Sequence, residues 1–156
     1  MAKQYWLLKS EPDAFSIDDL IKAKQQTSFW DGVRNYQARN YLKAMKVGDL
    51  AFFYHSSCPI PAIVGIIEVV QEPIPDPSAF DPKSPYYDPK STPATPRWFM
   101  PKVKYKKKFS SPITLESLKN NPRLSPASFA LLKRGNRLSV MPVTSQEWQA
   151  ILAMID

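Results

Sequence analysis

Sixteen prolines in 156 residues, nine of them between residues 73 and 101, limit the possible folds of this chain more than any other feature. Proline fixes φ, lacks an amide donor and drives the preceding residue out of the helical region, so a stretch this rich in it favours turns. Asp76-Pro77, Asp81-Pro82, Ser84-Pro85 and Asp88-Pro89 are turn-forming pairs. Phe80, Tyr86 and Tyr87 lie among them, and aromatic residues are scarce in disordered linkers. Residues 73–101 are therefore expected to form a long ordered loop that wraps back over the core.

Regular elements are expected on both sides of it. Tyr5-Trp6-Leu7-Leu8 reads as a buried strand that ends at Lys9-Ser10-Glu11-Pro12. Ser16 supplies an N-cap and Asp19 the capping-box position of a first helix striped with Ile17, Leu20 and Ile21. Ala38, Tyr41, Leu42 and Met45 recur at helical spacing and mark the buried face of a second helix, with Arg39, Lys43 and Lys46 towards solvent. Gly48 ends it, and residues 49–55 and 63–70 read as strands; Gly65 signals a bulge or a close backbone approach.

Beyond the loop, Lys102, Lys104, Lys106 and Lys108 alternate with Val103, Tyr105 and Phe109, which predicts a half-buried strand with a lysine row outside. Leu115 and Leu118 mark a short helix, and Ser125-Pro126 starts another running to Lys133-Arg134-Gly135. Residues 138–141 read as a strand. Thr144 to Glu147 is a capping box, opening a last helix that buries Trp148, Ile151, Leu152 and Ile155. Irregular interleaving without repeats predicts one α+β domain over residues 1–156, a small, mostly antiparallel β-barrel or curved sheet flanked by α-helices.

The chemistry concentrates between Phe29 and Leu42, where Trp30, Gly32, Arg34 and Asn35 lead into the second helix. Trp30 stands at a strand-to-turn boundary rather than on a helical stripe, which suits the wall of a pocket for a flat ligand. Trp98, after Pro96-Arg97, is a candidate for the opposing face. Lys9 and Ser10 leave a strand at a turn, and Tyr54 and His55 end another, so all four are candidates for the pocket mouth. A helix N-terminus with an arginine beside it suits anions, which makes Arg34 and Asn35 candidates for a phosphate or a base edge. Trp6 and Trp148 read as core.

The formal charge of +7 favours a polyanionic partner. Arg34, Arg39, Lys102, Lys104 and Lys106 are the candidate phosphate contacts. One cysteine, Cys58, excludes an internal disulfide and a multi-cysteine metal site. No apolar run approaches the ~18 residues of a membrane span, and the N-terminus lacks a signal-peptide pattern, so a cytoplasmic location is expected. No metal and no cofactor are expected.

Trp6-Leu7-Leu8-Lys9-Ser10-Glu11-Pro12, Trp30 to Asn40 and Phe52-Phe53-Tyr54-His55-Ser56 together resemble the EVE domain family. The resemblance continues through Ala79-Phe80-Asp81-Pro82, Ser84 to Ser91, Pro96-Arg97-Trp98 and Arg137-Leu138-Ser139-Val140. It implies a PUA-like fold, akin to the YTH domains that read N6-methyladenosine in RNA. It also implies a reader of modified bases such as 5-methylcytosine and 5-hydroxymethylcytosine in DNA, with a flipped base in an aromatic pocket. The chain lacks the basic N-terminal extension of eukaryotic members and looks like a stand-alone prokaryotic form.

Two other functions are compatible with the same residues. One is an RNA-binding PUA-like module that takes a modified nucleoside. The other is an enzyme in which His55 activates Cys58 three residues away, although no orienting third group, phosphate-binding glycine loop or deaminase signature accompanies the pair.

Overall fold

The computed structural model describes residues 3–155. Six strands, β1 (Tyr5–Ser10), β2 (Thr27–Phe29), β3 (Leu50–His55), β4 (Ala62–Pro75), β5 (Phe99–Thr114) and β6 (Val140–Val143), join in one sheet of order β2-β5-β4-β3-β1-β6. β1 pairs parallel to β3; the other pairings are antiparallel. Four helices, α1 (Ile17–Lys22), α2 (Tyr36–Ala44), α3 (Leu115–Lys119) and α4 (Ser145–Leu152), complete an α+β fold.

Of the expected barrel or curved sheet, the barrel is corrected: the sheet is open, with β2 and β6 as its edges. Closure requires two edge ladders to meet. β2 has three residues, and β6 has four, including the exposed Pro142, which has no N–H to donate.

Alternation along the strands divides the core into two layers. Trp6, Leu8, Phe53, Ile67, Val69 and Val103 pack with Ile17 and Leu20 of α1 and with Ala38, Leu42 and Met45 at α2. Leu7, Phe52, Tyr54, Ile63 and Phe109 face the other way, towards Leu118 of α3 and Trp148 and Ile151 of α4. Trp148 stacks on both Phe52 and Tyr5, with ring centroids 3.9 Å and 4.4 Å away. Both capping boxes form: Ser16 with Asp19, and Thr144 with Glu147.

Gly65 is the close approach that the sequence signals. A side chain there would run into the Lys107 carbonyl and the Ile17 side chain, and the ladder shifts register beside it.

Other boundaries differ from the sequence reading. β4 extends to Pro75 and β5 begins at Phe99, so the loop is residues 76–98, opened by a 3-10 turn at Pro77–Phe80. The helix expected after Ser125-Pro126 is a single 3-10 turn, Ala130–Leu132. Phe129 and Leu131 are both buried, a spacing of two that a helix cannot bury on one face. The next strand starts at Val140, because Leu138 donates its N–H to the Asn136 side chain and stays in the turn.

The uniform lysine row is corrected as well. Pairing jumps from Ile66↔Lys107 to Ile67↔Tyr105, so Lys106 sits in a bulge and the period of two breaks. Lys106 lies 3.6 Å from Glu68, Lys108 lies 2.7 Å from Asp18, and half-buried Lys102 lies over the Phe29 ring.

Candidate functional site

Where β1 and β2 end and α2 begins, the chain leaves a cavity of about 380 Å³. Its aromatic walls are Phe15, Phe29, Trp30 and Tyr86; its polar walls are Lys9, Ser10, Glu11, Ser28, Asp31, Arg34 and Ser139.

Trp30 is held by its backbone N–H, which donates to the Pro101 carbonyl at 2.8 Å, and by edge-to-face packing on Phe53 and Phe15. The residue is only 6% exposed. Its indole N–H nevertheless bonds to no described residue, and no buried side-chain N or O atom lacks a partner, so solvent reaches that N–H. Trp6 and Trp98 differ, since their indoles donate to Asp49 and Asp88.

Gly32 has φ +77°, and a Cβ there would lie 2.8 Å from the Tyr86 ring. The glycine therefore makes the turn and lets Tyr86 close over the cavity. Its N–H donates to Asp76 at 2.8 Å. Burial pushes the Asp76 carboxyl up, but hydrogen bonds from the Ser78 hydroxyl, Gly32 and Ser78 N–H groups, together with the Arg34 charge, outweigh it and hold the group below its ordinary value.

Arg34 fixes the loop to this wall. It donates to Tyr86 O, Val33 O, Asp76 Oδ2 and Ser78 Oγ, which occupies four of its five N–H donors.

Asp31 contrasts with Asp76. Desolvation first, and the neighbouring Asp76 charge second, raise its carboxyl above the ordinary value. Among the described residues its side chain bonds to no other residue. Lys9, half-buried and 5.9 Å from the Tyr54 ring, has its ammonium lowered by burial. The Ser10 hydroxyl donates to Phe15 O at 2.7 Å and shapes the turn between those two wall residues.

Of the residues singled out in the sequence, Lys9, Ser10, Trp30 and Arg34 come together here. The others lie outside. Trp98 is buried under the loop, where it bonds to Asp88 and stacks on Tyr36. Asn35 is the N-cap of α2, and its side-chain oxygen accepts from Ala38 N. Tyr54 belongs to the opposite core layer, where burial, then Cys58, pushes its hydroxyl up to about 12.

His55 Nε2 accepts the Ile17 N–H at 3.2 Å, at the start of α1. The Cys58 thiol faces the His55 backbone carbonyl at 3.8 Å instead of the ring, so the nucleophile–base pair of the alternative, enzymatic reading does not form. Arg39 is tied to Asn40 and to Arg97 O. Lys102, Lys104 and Lys106 are on β5; Lys102 approaches the cavity through Phe29.

The EVE domain family matches residues 4–154. The chain belongs to this family. It is 44% identical to thymocyte nuclear protein 1 of Mus musculus over 96% of the chain and 73% of the mouse protein. Among solved structures, a Pseudomonas syringae protein is 49% identical, with a TM-score of 0.91 over 96% of this chain and 98% of that one. Human THYN1, solved in complex with 5-methylcytosine-containing DNA, is 40% identical, with a TM-score of 0.91 over 97% of each chain.

Several walls of the cavity in this EVE domain went unread in the sequence. Asp31 sits next to Trp30, and the Trp30-Asp31-Gly32 turn was the available signal. Phe15, Tyr86 and Ser139 come from three separate segments and carry no local signature.

Proposed function

We propose that this EVE domain is a non-catalytic reader that draws a 5-methylcytosine-type base of DNA into the cavity beneath Trp30. The observation that carries the reading is the combination in one cavity of a ring with a solvent-reached N–H and an exposed carboxylate, Asp31, that bonds to no other described residue. A related chain with the same fold was solved with 5-methylcytosine DNA, which supports the ligand class.

The aromatic walls provide attraction without selectivity, since stacking contributes roughly 1–3 kcal/mol and tolerates any base. Burying a methyl adds only about 0.8 kcal/mol, or about fourfold. Discrimination must therefore come from polar groups. The Asp31 carboxylate is suited to accept from the exocyclic amine of cytosine. Flipping a base from duplex costs a few kcal/mol, so single-stranded or mispaired sites bind better.

The test is a panel of DNA and RNA oligonucleotides with and without modified cytosines, titrated with the chain and with Trp30→Ala. The expected result is tighter binding to modified DNA and a loss of that preference in Trp30→Ala. Preference for modified RNA instead would move the reading to an RNA module. Equal binding to every oligonucleotide, unchanged by the substitution, would remove the cavity from the function.

A further inference from the structure

Beside the cavity, α2 and the end of the loop build a second aromatic surface that the base site does not use. Tyr36, the first residue of α2, is 52% exposed, yet its ring stacks on buried Trp98 at 4.9 Å and 26°. A ring supported from below is already ordered, so a ligand resting on it costs little side-chain entropy.

Two guanidinium groups flank this ring. Arg97 donates to the Tyr36 hydroxyl at 3.1 Å, and that is its one side-chain hydrogen bond among the described residues. Its remaining donors are available to phosphate oxygens. Arg39 lies 4.9 Å from the Tyr36 centroid and 6.0 Å from that of Trp98. A cation directly opposite Trp98 across Tyr36 would stand nearly twice the ring spacing from Trp98, so Arg39 lies off the axis of the stack. Lys43 follows one helical repeat further along, over the Phe99 ring. Arg34, a wall of the cavity, is 5.4 Å from the same Trp98 ring that supports Tyr36, so both sites contact one indole.

We propose that Tyr36 is a stacking platform for the base adjacent to the one held in the cavity, with Arg39 and Arg97 on the backbone phosphates between them. The proposal rests on the reading of the cavity as a nucleobase site. Drawing one base out of a strand leaves its neighbour unstacked on one face, and an exposed, pre-ordered tyrosine replaces the lost partner.

The experiment uses a single-stranded DNA carrying one 5-methylcytosine, with 2-aminopurine placed immediately 5′ or 3′ of it. Binding is expected to quench 2-aminopurine at one of the two positions. Tyr36→Ala should abolish the quench and weaken affinity at least about fivefold while keeping the 5-methylcytosine-to-cytosine ratio. Tyr36→Phe should preserve both. An abasic site at the quenched position should cost the unaltered chain a similar factor, which makes the result independent of whether Tyr36→Ala folds. Modified-base preference with no flanking quench, or no loss in both the abasic and Tyr36→Ala arms, overturns the platform alone. No binding by the unaltered chain overturns the cavity reading and the platform together.

Discussion

Arg34 and Asp76 meet at 3.2 Å between the start of α2 and the start of the proline-rich loop, with Asp76 fully buried and the Arg34 side chain 22% exposed. Because Gly32 and Ser78 bond to the same carboxylate, the pair joins the cavity wall to the loop that closes it. Asp76→Ala is expected to cost about 3 kcal/mol, the low end for a broken buried pair, because water still reaches Arg34. The shift in denaturant midpoint measures it. Arg34→Lys should not substitute, since an ammonium cannot span Tyr86 O, Asp76 and Ser78 at once. The folded Asp76 carboxyl lies below its ordinary 3.8. Its contribution is therefore complete above that pH and is lost as pH falls through the folded value, a slope that Asp76→Asn should remove.

Gly32→Ala tests the closure by Tyr86. A residue with a Cβ is strained at φ +77°, by about 1–2 kcal/mol, and the new methyl must displace the Tyr86 ring. Calorimetry should show the lower stability. Base affinity should fall further than stability alone accounts for, because the methyl intrudes on a cavity wall.

The single histidine gives an uncluttered pH signal. Burial, opposed by Asp18 and assisted by Lys108, lowers the His55 pKa below 6.5, and its Nε2 must be unprotonated to accept from Ile17. The unfolded chain then binds the proton more readily than the folded one. Stability should be full above pH 6.5 and decline as pH falls from there to the folded pKa. Equilibrium unfolding of His55→Gln across this window should be flatter; an unchanged slope would remove His55 as its source.

Asp31 should distinguish 5-methylcytosine from thymine, which carries the same methyl but an acceptor where cytosine has an amine. The carboxylate repels that acceptor, whereas an amide can turn its NH₂ towards it. Asp31→Asn is therefore expected to reduce the preference for 5-methylcytosine over thymine about tenfold in competition binding. An unaltered ratio would place the base edge elsewhere in the cavity.

Salt dependence should separate the β5 lysines. Lys102, beside the cavity through Phe29, is expected to contribute about 0.7 to the log–log salt slope with single strands, so Lys102→Ala lowers it by that amount. Lys106 already has Glu68 nearby, and Lys106→Ala should change the slope less.

What the sequence determined by itself was local. Capping boxes at Ser16 and Thr144, the 38-41-42-45 stripe and the constraint at Gly65 were all legible, because each depends on residues a few positions apart or on backbone sterics. The long motifs from Trp6 to Pro12 and from Trp30 to Asn40 likewise carried the family and the position of Trp30. Tertiary structure alone decided which tryptophan opens to a cavity and which is sealed. Trp98 and Trp30 have similar local settings, but Asp88 takes up one indole N–H and nothing takes up the other. It also decided that the sheet stays open and that Tyr86 meets Gly32, 54 positions away in the chain. Contacts of that kind are set by how the loop lies on the core, where burial and hydrogen-bond satisfaction are shared among distant segments and leave no periodic trace in the chain.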